Sequence, residues 1–423
     1  MMNHKLRFTA YIALIFLAGC SSLAPLLSTP TPVPVLTATS TPQPEPTSTV
    51  PPSAGSKILR VWLPPRFDPN AETPSGNLLK QRLADFENEH PGVEIEVRIK
   101  SEDGNNDLLH SLSLTNAAAT SVAPDLIALS YSDMGAAAQM GLIHPIDGLT
   151  NLLQDPDWYT FARELAHVQN SEFGLPFAAD AQVIVYRPAV FNAPPSSWSS
   201  ILGSGNQMVF PVSDPMSYFS LSLYLSENNQ LVDAQGVLTL DEETLSRVLS
   251  FHKQSLEAGI LPPLLKDYQT DQQTMPIFYS GEAGVAVIWV SSDLGIESGE
   301  YIPVFGLTEA PYSLADGWVW SLAGSDTEKQ SLAVELAAYL VDSDYMALWT
   351  SASGYLPTRP QALDAWEDVD LKESINLVLQ SAHPVPSDTV LMEVSPLMQQ
   401  ALIRIFNGEQ PEVVARSVIE NLK

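Results

Sequence analysis

Cys20 is the only thiol in 423 residues, and its position restricts what it can do. It directly follows Leu17-Ala18-Gly19, which closes an uncharged, mostly apolar run over residues 8–19. A lone cysteine cannot close an internal disulfide, and a bare thiol outside a cell is a liability. Acylation of the sulfur would remove it. Other reactive arrangements are missing from the sequence. It holds no His-Glu-x-x-His zinc site, no Gly-x-Ser-x-Gly nucleophile elbow and no phosphate-binding Gly-Lys-Ser/Thr loop, and the seven histidines are scattered. The sequence therefore predicts a protein that is not an enzyme, with no catalytic residues, no cofactor and no metal. A glycosidase-like carboxylate pair stays open, because such partners need meet only in space.

The segment ahead of Cys20 reads as an export signal. Lys5 and Arg7 supply a short positive region, and the apolar run of about 12 residues is short of the roughly 20 that a spanning helix needs. Leu17-Ala18-Gly19-Cys20 resembles the bacterial lipobox. That resemblance implies a cleaved signal peptide over 1–19 and two or three fatty-acyl chains, palmitate among them, on Cys20, which together hold a membrane more firmly than one. Residues 20–56 are rich in Pro, Thr and Ser, and eight prolines fall between Ser28 and Ala54. Proline fixes φ and removes backbone donors, so this stretch is expected to be a semi-rigid, polyproline-like tether able to carry O-linked sugar.

The remaining chain, 57–423, is too long for one hydrophobic core and predicts two lobes. A formal net charge of −29, from 20 Lys and Arg against 49 Asp and Glu, excludes nucleic acid as a partner, since that binding rests on phosphate neutralisation by basic residues. It argues equally against an anionic lipid surface.

Hydrophobic periodicity sets the class. A strand at 58–63, a helix at 78–89 stopped by His90-Pro91-Gly92, and an alternating strand at 93–99 form a β-α-β unit. The pattern continues with a helix at 107–118, a buried strand at 125–129 and a helix at 133–140. Strand pieces at 175–177 and 183–186, a helix at 245–258, a strand at 283–290 and helices at 329–341, 396–406 and 412–422 follow. The chain is α/β, and ligands in such folds sit beyond the carboxyl ends of strands.

Several short pieces, in order, carry a resemblance across nearly all of this region. They are His90-Pro91-Gly92-Val93; Ala123-Pro124-Asp125-Leu126-Ile127 followed by Gly141-Leu142-Ile143; and Gly174-Leu175-Pro176-Phe177 followed by Val185-Tyr186-Arg187. Gly281-Glu282-Ala283-Gly284-Val285-Ala286, Gly317-Trp318 and Gly354-Tyr355-Leu356-Pro357-Thr358-Arg359 complete the series. The chain resembles the extracellular solute-binding proteins of ABC importers, in particular the sugar-binding group related to maltose-binding proteins. The resemblance implies a two-lobed periplasmic-binding-protein-like fold with a hinged cleft between lobes. Lobe 1 would comprise 57–182 plus 318–365, and lobe 2 would comprise 183–317 plus 366–423. Hinge crossings would lie near 181–183 and 315–320, where closure couples occupancy to the shape shown to a membrane partner.

The resemblance further implies a monomeric, extracytoplasmic, lipid-anchored receptor of the bacterial cell membrane that hands a small solute, a sugar or oligosaccharide, to permease subunits. Sugar sites combine aromatic platforms with fixed polar groups. The resemblance places Trp62 and Arg66 at the first strand's end, Tyr131 and Asp133 after the Pro124-Asp125-Leu126 strand, and Asp180 before the first crossing. It adds Trp289, Ser291 and Ser292 after the strand that follows Gly281, Trp318 at the second crossing, and Tyr355 and Arg359 beyond it. Some have an ordinary reading beside this one: core packing for the tryptophans, solvation for Arg66, a helix cap for Asp133; Asp180, beside hydrophobic sequence, is harder to explain as a surface charge. Leu129-Ser130 departs from maltodextrin binders, which usually carry an aromatic there, so peptide, polyamine and polyol ligands stay open. A sensory or adhesive lipoprotein without a transporter, and a secreted glycoside hydrolase, are the rival functions.

Overall fold

The computed structural model describes residues 57–102, 104, 107–233, 235–294 and 299–422. The signal, Cys20 and the tether lie outside the described residues. Among the described residues eleven strands occur: β1 (Lys57–Leu63), β2 (Val93–Ile99), β3 (Leu126–Ser130), β4 (His167–Val168), β5 (Ser171–Glu172), β6 (Gly174–Tyr186), β7 (Gln207–Val209), β8 (Ala283–Trp289), β9 (Glu300–Pro303), β10 (Ser313–Leu322) and β11 (Ala382–Pro384). β4 and β5 pair only with each other, while the rest form one mixed sheet in the order β2-β1-β3-β10-β6-β8-β7, with β11 beside β10 and β9 beside β6.

The first half of the sheet is covered on both faces, and period-two alternation shows how. Leu59, Val61 and Leu63 of β1 and Leu126 and Ala128 of β3 enter the main core, whereas Trp62, Ile127 and Leu129 enter a second core with Leu108, Leu112 and Met134. The helix Pro74–Glu89 lies over the first face. Thr73 Oγ1 accepts from Gly76 N at 3.0 Å to cap it, Leu79, Leu83 and Phe86 point inward at helical spacing, and His90 stacks on Phe86 at its end.

β6 joins the halves. From Gly174 to Ala181 it pairs antiparallel with β10, from Gln182 to Tyr186 with β8 on one side, and from Val183 to Tyr186 with β9 on the other. The sequence showed only its two apolar ends, because Asp180 and the alanines around it interrupt the pattern. A second departure is the helix Asp388–Phe406, which begins eight residues before Pro396. Pro396 and Met392, whose carbonyl would have received its missing N–H, are both exposed, so water can take over the lost bond.

Where β6 meets β10 the backbones approach too closely for a side chain at Gly174. A Cβ there would stand 2.3 Å from the Trp320 carbonyl oxygen and 2.6 Å from Val319 Cγ1. Gly174→Ala is expected to cost about 2 kcal/mol or more of stability by forcing the strands apart. An unchanged urea midpoint would show that the pairing tolerates the methyl.

Candidate functional site

Strand register gathers the site. Trp318 lies opposite Ala178, and Asp316 opposite Asp180, on the β6–β10 ladder; beyond the exchange of partners, Gln182 lies opposite Trp289 of β8. Residues opposite one another share a face, and so do alternate residues along a strand. Asp180, Gln182, Asp316, Trp318 and Trp289 therefore line one face across the junction of the two sheet halves. A bulge sets this phase, because Trp318 pairs with Ala178 and Val319 with Pro176, leaving Phe177 unpaired. Phe177 stacks on Trp320 with centroids 4.5 Å apart and meets Phe67 edge to face. The extra residue shifts the phase of β6 against β10, so that Leu175 meets Trp320 while Ala178 and Asp180 meet Trp318 and Asp316.

Two adjoining pockets open on that face and share Asp180, Tyr218 and Trp289. One, of about 310 Å³, lies between Arg66, Trp318 and Tyr355 on the first half of the sheet and Tyr218 and Trp289 on the second, with Asp180 and Asp316 at its base. The other, of about 270 Å³, extends into the second half and is bordered by Gln182, Asp214, Asp271, Ser291 and Ser292 among others. Aromatic contacts brace the walls. Trp289 meets Tyr218 edge to face at 5.1 Å, and Phe67 packs its ring against both Trp318 and Tyr355. Arg66 is held by Glu102, whose carboxylate accepts from Nε at 2.7 Å, and by the Tyr355 hydroxyl at 2.6 Å; its guanidinium lies 5.2 Å from the Trp318 ring centre.

Four carboxylates face these pockets. Asp180 Oδ1 accepts from Ala181 N at 2.9 Å and Ser291 N at 3.0 Å, and Ser291 Oγ donates to its Oδ2. Burial outweighs those donors and pushes Asp180 up to about 7, with Asp316 adding to the effect. Asp271 Oδ2 accepts from Trp289 N and Ser292 Oγ, both at 2.9 Å, and burial raises this group to about 6. Burial likewise raises Asp316 to about 6, against one donor, Gly317 N at 2.7 Å. Asp214 is raised for the same reason. None of the four forms an ion pair among the described residues.

Of the residues singled out from sequence, Arg66, Asp180, Trp289, Ser291, Ser292, Trp318 and Tyr355 come together here. The others stand elsewhere. Trp62 is buried in the second core with Lys100 Nζ 4.3 Å from its ring centre, because its place on β1 turns it under the helix layer. Arg359 is a buried strut: its Nε donates to Asp157 Oδ2 at 2.8 Å and Nη1 to the Val341 carbonyl at 3.0 Å. Tyr131 borders a separate hollow with Ser132 and Asp388, and Asp133 lines neither pocket. Asp133 is not the cap of its helix, since Ser130 Oγ fills that position by accepting from Asp133 N at 3.1 Å. Among the described residues no cluster of His, Cys, Asp and Glu could hold a metal ion.

Residues 81–376 match the model of a family described as bacterial extracellular solute-binding protein. The chain belongs to that family. The fold of this solute-binding protein is the two-lobed one seen in solved structures at low identity. The sugar-binding protein MalE from Xanthomonas citri is 14% identical with a TM-score of 0.72, over 86% of this chain and 96% of that one. Maltose-bound MalE3 of T. maritima is 17% identical, TM-score 0.64, over 86% and 98%. The Thermus thermophilus maltotriose-binding protein is 16% identical, TM-score 0.62, also over 86% and 98%. No curated protein sequence matches this chain.

Sequence reasoning about the solute-binding protein missed Gln182, Asp214, Tyr218, Asp271 and Asp316. Asp316 was within reach, because a residue two before Trp318 on one strand must share its face. Asp271 reaches the pocket through Trp289 and Ser292, partners 18 and 21 residues away in sequence, and no local signal marks it.

A carboxyl raised by folding favours the folded state most below its unfolded value near 3.8 and loses that advantage as pH rises through its folded value. Asp316→Asn, which keeps an acceptor for Gly317 N, is therefore expected to stabilise the protein by about 1 kcal/mol at pH 8, after allowance for solvent screening, and by little at pH 4. Urea unfolding at both pH values measures the difference.

Proposed function

We propose that this solute-binding protein captures a sugar-sized solute in the aromatic-walled cleft, closes its lobes around it, and delivers it to the permease of an ABC importer. The observation that carries this reading is the pocket with Trp318 and Tyr355 on one wall and Tyr218 and Trp289 on the other. Aromatic faces suit the apolar faces of sugar rings, and the carboxylates and amides between them accept from hydroxyls. Solved structures of the same fold are described with maltose and maltotriose bound, which supports a sugar for this chain too.

In this reading lobe 1 is 57–182 plus 318–365, lobe 2 is 183–317 plus 366–423, and they hinge near 181–183 and 315–320. The exchange of partners on β6 between Ala181 and Gln182 supports the first crossing. Ser132 Oγ donates to Asp388 Oδ2 at 2.5 Å, a contact between the two assigned lobes that opening would break. The receptor acts as a monomer, held to the outer face of the cell membrane by acyl chains on Cys20 and spaced from it by the tether.

A solute that binds the folded chain raises its melting temperature, so a panel of sugars and polyols should yield at least one concentration-dependent shift. Trp289→Ala should weaken that hit about tenfold or more in a fluorescence titration, and a panel without a hit would sink the sugar reading. Separately, Cys20→Ser is expected to move the protein from the membrane pellet to the soluble fraction of fractionated cells. Retention in the pellet would remove the lipid anchor from the scheme.

A further inference from the structure

The charge and acceptor pattern of the cleft carries more than a general sugar site needs. We propose that the solute bears a protonated amine, set among the acceptors of the inner pocket while its ring lies against the aromatic walls. This rests on the solute-binding reading above and narrows its substrate class.

The inner pocket is lined by fifteen residues that include Asp180, Asp214 and Asp271 and no Lys, Arg or His. The adjoining pocket adds Asp316 and one cation, Arg66, which Glu102 already neutralises. Neutral hydroxyls can donate to these carboxylates but leave their charge uncompensated. An ammonium supplies three N–H donors and the missing charge together.

Gln182 is an independent sign. It is only 4% exposed, borders the inner pocket, and its Oε1 is buried without a hydrogen-bond partner. A buried acceptor left unpaired is costly, and the cost is relieved by a donor that arrives with the ligand. This unpaired acceptor beside the pocket asks for a donor. The walls agree, because Trp289 and Tyr218 can hold a cation against their ring faces.

The backbone adds a third sign. Asp180 and Asp316 lie directly opposite each other on antiparallel strands, an arrangement that like charges disfavour. A bound cation relieves that repulsion. It also draws the raised carboxyls back to their ionised form, so binding near neutral pH should release protons.

Titration calorimetry on the full-length chain in detergent tests the proposal with matched sugars: the disaccharide of glucosamine, its N-acetylated form, and cellobiose. The expected result is binding of the free amine at least tenfold tighter than either neutral partner, weakening as salt rises, with proton release shown by dependence on buffer ionisation heat. Asp271→Asn and Asp214→Asn should each weaken the amine at least fivefold more than they weaken a neutral sugar, because each removes a charge that only the amine uses. Equal or tighter binding of cellobiose or the N-acetylated sugar would overturn the amine while leaving the sugar receptor intact. Absence of binding by all three would overturn both. The salt and buffer dependences need no variant, so they decide the matter even where a substitution impairs folding.

Discussion

Everything in this molecule hangs on the antiparallel pairing of β6 with β10. These strands lie between the two halves of the sheet, and the first half of β6 belongs to one side while its second half belongs to the other. The close approach at Gly174 and the buried alanines at 178, 179, 181 and 315 keep this junction thin and tightly packed. A thin junction leaves room above it, and that room is the cleft. Core packing and site geometry are therefore set by the same few hydrogen bonds.

The junction also carries a local conflict. Opposed aspartates in the centre of a sheet work against pairing, and Asp214 and Asp271 add further burial of charge nearby. Natural sequences tolerate such conflicts where function requires them, and the surrounding core must compensate. Here the compensation is apolar: the main core runs from β1 through β6 to the closing helices. Arg359 shows the contrasting case, a charge buried with its partners satisfied.

How much of this was legible beforehand depended on range. Periodic segments such as Pro74–Glu89, Val93–Ile99 and Ala283–Trp289 read correctly because their apolar spacing is local. Short helices such as Tyr218–Leu225 and Asp271–Tyr279 did not, since one alternates Phe and Leu with Ser in a strand-like period and the other holds Pro276. The site divided in the same way. Asp180, Trp289 and Trp318, next to a strand end or a crossing, line the cleft, whereas Asp214 lies in a connection and Asp271 opens a short helix, both placed only by the fold. Trp62 and Arg359 lie away from the cleft, because type and position along the chain do not say which face of a layer a side chain takes.

The bulge at Phe177 bears on how this chain could change over time. Side chains alternate along β6, so the facing of Asp180 and Gln182 depends on counting residues from the core-anchored Phe177. Substitutions there alter contacts one at a time, but a single inserted or deleted residue between Gly174 and Asp180 would exchange floor and core together. Loops around the cleft can lengthen or shorten with little effect. In this strand it is length that evolution is least free to alter.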